Sequence, residues 1–256
     1  MDVILTAGGT PAPEDPLYAY SKGLPKALIP IGDKPMIQWV LDALAGAKTI
    51  KRIVMIGLAD NIQVQYPREI VRIEDRGSMV ENIIAGATSL LALPNPSQFA
   101  LIVASDVPAV TSEAIDWVSE ETVKAQKEMI YTVVEQSVME QRFQESKRSY
   151  IPLKDLAICG GDVNAIELKK INYENPLYQK LIAARKNALK QAAILGLDTL
   201  LLIFLRAITL KQLEKRASKR LGVNGLVLES PYAEIAMDVD KPGQLELLRN
   251  DLVQAT

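Results

Sequence analysis

No histidine occurs anywhere in the 256 residues, and that absence removes a histidine general base, a Ser-His-Asp triad and the usual zinc sites together. Carboxylates and lysines must carry whatever chemistry occurs. Cys159 is the only cysteine, so no intramolecular disulfide can form; a small buried residue is the expectation for it. The net charge is −2, and the basic residues are scattered or helical rather than interleaved with aromatics, so no nucleic-acid partner is expected. Also missing are the charged and long apolar regions of a signal peptide, because Met1-Asp2 leads straight into an apolar run; a cytoplasmic protein is the reading. Asp198 and Arg206 interrupt the leucine-rich run from Leu195 to Leu210, which leaves it too short to cross a bilayer.

What is present is hydrophobic residue, 48% of the chain, enough for a substantial core in one domain over residues 1–256. Short apolar runs alternate with amphipathic segments. Val3-Ile4-Leu5, Arg52 to Gly57, Ile70 to Ile73, Phe99 to Ala104 and Met129 to Val134 read as strands. Helices are expected from Asp33 or Lys34 to about Ala45, after Gly77-Ser78, and from about Ser112 to Lys124. This order predicts an α/β fold, a doubly wound and mostly parallel sheet, with ligands at the carboxyl ends of its strands.

The first strand breaks into Ala7-Gly8-Gly9-Thr10. Consecutive backbone N–H groups in such a loop can converge on phosphate oxygens, and Lys26 and Lys34 supply positive charge nearby in sequence. Asp106 falls just past the Phe99–Ala104 strand, where it could reach a cation held against phosphate, or cap the helix near Thr111. Further on, Arg148 precedes a pair of strands joined at Asp155, and Gly160-Gly161 offers close backbone approach to something bound. Guanidinium suits phosphate. Residues Glu234 to Asp240 read as a strand that points Asp238 and Asp240 to one face, with Asp240 alternatively the cap of the helix that Pro242 begins.

The combination of a strand, AGGT, a loop and then PKALIPIGDKPMIQWVLDAL (residues 25–44) resembles the nucleotidyltransferases of nucleoside-triphosphate transferase fold, especially the molybdenum-cofactor guanylyl- and cytidylyltransferase-like group. The resemblance implies transfer of a nucleoside monophosphate from an NTP to a phosphorylated small-molecule acceptor, on Mg²⁺, with release of pyrophosphate. It implies that Ala7, Gly8, Gly9 and Thr10 hold the triphosphate and that Lys26 is the catalytic cation. It also places Gly77, Ser78 and Asn82 along the nucleotide, Asp106 and Asp240 at the metal, and Arg148, Gly161 and Asp162 on the acceptor side. One departure stands out. The family usually carries an arginine soon after the glycines, whereas no basic residue occurs here until Lys22; either Lys22 takes over that charge or the triphosphate grip is weaker.

Residues from about 174 to 221 read as a helical insertion. Leu181, Ala184, Leu189 and Ala192 recur at helical spacing, with Lys180, Arg185, Lys186 and Lys190 on the other side. Leu195 to Leu210 reads as a buried or interface helix, and Thr209 to Gln212 has the spacing of a capping box that starts a basic helix through Lys219. Packing against the sheet or in a homodimer, and contact with a membrane surface, are the alternative uses of this segment. Two other functions stay open at this point: a nucleotide-binding regulator that has lost transfer, and a membrane- or partner-docking protein.

Overall fold

Three segments with apolar interiors, β1 (Asp2–Thr6), β4 (Arg52–Ile56) and β6 (Phe99–Ala104), lie at the centre of the sheet, as expected of parallel strands covered on both faces. The computed structural model describes residues 1–172, 174, 176, 178–180, 194 and 196–254. Between and after these strands come α1 (Tyr18–Ser21), β2 (Pro30–Ile31), β3 (Lys34–Pro35), α2 (Met36–Gly46), β5 (Ile70–Ile73), α3 (Met79–Ala92) and α4 (Ser112–Ala125). The second half holds β7 (Met129–Glu135), α5 (Gln136–Arg142), β8 (Ile151–Pro152), β9 (Ala157–Gly160), β10 (Val163–Glu167), α6 (Leu197–Phe204), α7 (Leu210–Leu221), β11 (Gly225–Glu229) and α8 (Pro242–Gln254).

The sheet order is β5-β4-β1-β6-β10-β7-β9-β8, with β11 on β7. β5, β4, β1 and β6 are parallel, β10 runs antiparallel between β6 and β7, and β11 is parallel to β7. The sheet is therefore mixed but mostly parallel in direction, with helices on both faces. Side chains alternate strictly. Val3, Leu5, Ile53, Met55, Leu101 and Val103 enter one core cluster with residues of α2, α4 and α8, while Ile4, Val54, Ile56 and Ala100 enter a second beneath Ile84, Ala87 and Leu90 of α3. Each such valine, leucine, isoleucine or methionine side chain taken from water stabilises the fold by about 1.5–3 kcal/mol.

Three expectations need correction. The helix after the glycine loop starts at Met36, because Ile31 pairs with Lys34 across a two-residue turn at Gly32 (φ +65°) and so closes a hairpin first. Lys34 consequently pairs with Asp42 and lies over Trp39, away from the glycine loop. Residues 234–240 are not a strand: Ala233–Ala236 form a 3₁₀ turn, and the chain beyond crosses strand ends through single hydrogen bonds.

In the helical insertion, α7 begins with the expected capping box between Thr209 and Gln212. α6 packs Leu202 and Ile203 against a third cluster of Val133, Leu153, Ile158, Ile208 and Leu210 but leaves its other side exposed. The helical pattern over Leu181, Ala184, Arg185, Lys186, Leu189, Lys190 and Ala192 lies outside the described residues. Among those residues no helix is long and apolar enough to cross a membrane.

Candidate active site

Ends of five strands meet at one edge of the sheet. β1 runs out into Gly8, β4 into Gly57, β5 into Asp75 and β6 into Asp106; antiparallel β10 begins at that same edge, one residue after Asp162. The Ala7 N–H continues the β1–β4 ladder by donating to Ile56 C=O (2.8 Å), so of the four amides expected at the triphosphate this one is already engaged. The N–H groups of Gly8, Gly9 and Thr10 have no hydrogen bond among the described residues, a short run of unpartnered backbone donors of the kind that binds anions. Gly57 makes room for this loop: at φ +96°, a Cβ there would stand 2.4 Å from Gly8 Cα.

Lys26 is pinned to the loop by its own N–H, which donates to Gly9 C=O (2.9 Å). Its ammonium stands 2.7 Å from Asp106 Oδ2 and 2.7 Å from Asp240 Oδ1. One backbone bond brings these carboxylates together, Val239 N–H donating to Asp106 C=O (3.0 Å). Helix capping falls to other groups. Thr111 caps α4, and the N–H groups of Asp240 and Lys241 both donate to Gln244 Oε1 at the start of α8, leaving the Asp106 and Asp240 side chains to Lys26. Burial pulls the Lys26 ammonium toward neutrality, but the charges of Asp106 and Asp240 more than offset it and hold the group above its usual value.

Asp162 is the third carboxylate here. Burial, then the charge of Asp106, pushes it up to about 7 against the opposing pull of Arg148, and its Oδ2 is buried without a hydrogen-bond partner among the described residues. A carboxyl raised from 3.8 to about 7 holds a proton in the folded chain that the unfolded chain has lost. Folded stability therefore falls as pH rises from about 4 to about 7. Asp162→Asn keeps the shape and removes the titration, so it is expected to melt above the wild type at pH 8, with the gap closing toward pH 4. Equal melting temperatures at pH 8 would contradict the assigned environment.

Arg148 arrives already neutralised. It is paired with Asp238, and its Nη2 donates to Gly160 C=O (3.3 Å). Asp238 and Asp240 thus serve two different cations and do not share a face. Gly161 is tied into the sheet. Its N–H donates to Thr132 C=O (2.9 Å), its C=O accepts from Asn164 Nδ2 (2.9 Å), and a Cβ would stand 2.3 Å from Thr132 Oγ1. Gly160 likewise abuts the Tyr131 hydroxyl. The close approach that these glycines permit within the chain is to β7, where the chain bends from β9 into β10.

Around the nucleotide side, Asn82 Nδ2 donates to Asp75 Oδ1 (2.8 Å) while its Oδ1 accepts from Arg76 N–H (2.7 Å). Ser78 caps α3. Asn82 and Ser78 thereby shape the loop through Gly77, whose N–H donates to Asp75 Oδ1 (3.0 Å). Asp75, which the sequence reading did not single out, packs against the glycine loop: a Cβ on Gly8 would lie 3.5 Å from its Cγ. Its position just past a strand, in Glu74-Asp75-Arg76-Gly77, was the available signal. Lys22 ends α1 in the left-handed region (φ +52°), exposed, with no contact among the described residues tying it to the loop. Thr10 is exposed beside Gly9.

Hard oxygen donors suit magnesium, which is commonly held by one or two carboxylates plus substrate phosphates. Among the described residues no group of three carboxylates or thiols is placed to hold a metal, so this chain offers the pair Asp106 and Asp240. The pair fits such an ion: both oxygens already converge on one cation.

The model of the MobA-like NTP transferase domain matches residues 19–195. No curated protein is a match. A solved structure described as a hypothetical transferase from Thermus thermophilus is 29% identical, covers 95% of this chain and 98% of its own, and has a TM-score of 0.79. CMP:2-keto-3-deoxy-manno-octonic acid synthetase complexed with CTP is 13% identical over 100% of this chain and 99% of its own, with a TM-score of 0.58. The 4-diphosphocytidyl-2C-methyl-D-erythritol synthase of Anaerococcus prevotii DSM 20548 is 14% identical over 98% and 95%, with a TM-score of 0.56. At those identities the last two are likenesses of fold.

Proposed function

This chain belongs to the MobA-like NTP transferase family and is a nucleotidyltransferase; on that premise we propose that it moves a nucleoside monophosphate from an NTP to a phosphorylated small-molecule acceptor, supported by Mg²⁺ and releasing pyrophosphate. The observation that carries this reading is the run of unpartnered amides at Gly8, Gly9 and Thr10 beside an ammonium held between two carboxylates. The amides bind phosphate oxygens. Lys26, which can turn from Asp106 and Asp240 toward phosphate, opposes charge that develops on the transferring group and on departing pyrophosphate. Asp106 and Asp240 would hold the metal, which supplies charge neutralisation and alignment of the phosphates when bound.

An acceptor phosphate is already anionic at neutral pH, so its oxygen needs no general base to attack the α-phosphorus. The lack of histidine is thereby no obstacle. Asp75, Gly77 and Asn82 shape the side of the pocket where the base would lie, and Arg148 and Asp162 border the acceptor side. A cytoplasmic setting, which supplies NTP and Mg²⁺, fits this chemistry.

Pyrophosphate release is the test, measured with each NTP against a panel of sugar phosphates and other phosphorylated small acceptors. Release that depends on one acceptor class and matches its consumption supports transfer. Nucleotide binding without release across the panel would favour a regulator that has kept only the site.

A further inference from the structure

Opposite in character to the polar site, α6 and α7 form a hairpin whose outer side is greasy on one helix and cationic on the other. Leu197, Leu201, Phe204 and Leu205 are 76%, 56%, 81% and 60% exposed. Their spacing of i, i+4, i+7 and i+8 places them along one side of α6. On α7, Leu210, Leu213, Ala217 and Leu221 turn toward the sheet, while Lys211, Lys215 and Lys219 follow one another at i, i+4 and i+8, exposed and without a carboxylate partner among the described residues. The two helices are fastened to each other: the Asp198 carboxylate accepts from Arg216 (2.9 Å) and from Arg220.

Residues 197–221 carry six cations and two carboxylates in a chain of net charge −2. Both carboxylates are engaged, Asp198 as above and Glu214 by the N–H of Val227 (2.7 Å). Positive charge is therefore left uncompensated next to the apolar stripe. Lys215 and Lys219 also line a groove between the two helices, with Leu202 on its α6 side.

We propose that the α6–α7 hairpin docks this enzyme onto an anionic membrane surface, the stripe on α6 entering the boundary between headgroups and acyl chains and the lysines of α7 meeting lipid phosphates. Apolar area and juxtaposed basic residues are the two contributions that hold an amphipathic element in that boundary. A second copy of the chain fits less well, since a twofold contact would bring unpaired lysines together with no acidic partner. The inference does not rest on the nucleotide site.

Its test is sedimentation of the full chain with vesicles of phosphatidylcholine alone and of equal parts phosphatidylcholine and phosphatidylglycerol. Binding is expected only to the anionic vesicles and is expected to weaken with salt. The double variants Leu201→Gln/Phe204→Gln and Lys215→Glu/Lys219→Glu should each lose at least about tenfold of that binding, with melting temperatures and nucleotide-induced shifts like those of the wild type. Failure to bind anionic vesicles overturns the proposal. So does undiminished binding by the charge-reversed variant, equal binding to both vesicle types, or a solution dimer that the same variants dissociate.

Discussion

Lys26→Ala is expected to lower turnover by about two to three orders of magnitude, the loss typical when one preorganised donor to a developing negative charge is removed, while the chain stays folded. The ammonium is the only cation shown within 4.0 Å of Asp106 or Asp240 among the described residues. It is charged throughout the physiological range, because its titration is held above the ordinary 10.5; the pairing is complete below that value and lost only at higher pH. The Lys26 N–H bond to Gly9 is made by backbone and survives the substitution. Removing the side chain also leaves Asp106 and Asp240 free for another cation. Mg²⁺ without nucleotide should then raise the melting temperature of the variant more than that of the wild type. Turnover within a few fold of wild type, or no difference in the response to Mg²⁺, would sink the role given to this residue.

Asp106→Asn is expected to cost about a hundredfold or more in turnover and to weaken the stabilisation that Mg²⁺ adds to a bound NTP. The carboxylate, not the backbone, is what the substitution alters: Asp106 C=O still accepts from Val239, so the strand end stays in place. Asp240→Asn should cost less. The Asp240 side chain is 58% exposed against 23% for Asp106, and water weakens the hold of the more exposed carboxylate on any cation. Rates and nucleotide-linked melting shifts measured for both variants across Mg²⁺ concentrations decide the matter. An Asp106 variant with the wild-type Mg²⁺ dependence removes this residue from the metal site.

The parts of the fold that were readable in advance are those where an apolar run or a capping residue marks the element locally. Phe99–Ala104 and Ile70–Ile73 stand where their apolar runs put them, and Ser112–Ala125 begins where Thr111 can cap it. Short elements were harder. The β2–β3 hairpin has two residues a side, too few for a period to show, and a proline ahead of Met36 looks like a helix start whether or not a strand precedes it.

Residues 234–240 hold a short apolar run like a strand's, yet their backbone bonds go singly to Asp106 and Asp162 across two strand ends; no local pattern records that. The same holds for the site. Lys26, Asp106 and Asp240 are far apart in sequence, and chemistry suggested each, but which cation each aspartate takes depends on tertiary placement. Asp238 went to Arg148 and Asp240 to Lys26. Gly160-Gly161 shows the same limit: adjacent glycines mark a close approach without saying to what, and within the chain the neighbour is β7.

The loop at Gly8 to Thr10, with Lys26, Asp106 and Asp240, is proposed as a metal-assisted triphosphate site. Melting temperature measured with ATP, GTP, CTP and UTP, each with and without Mg²⁺, addresses it most directly, because a ligand that binds only the folded chain stabilises it in proportion to its saturation. A shift is expected with at least one NTP, larger when Mg²⁺ is present and reduced in Asp106→Asn. The absence of any shift at millimolar concentrations of all four nucleotides would contradict it.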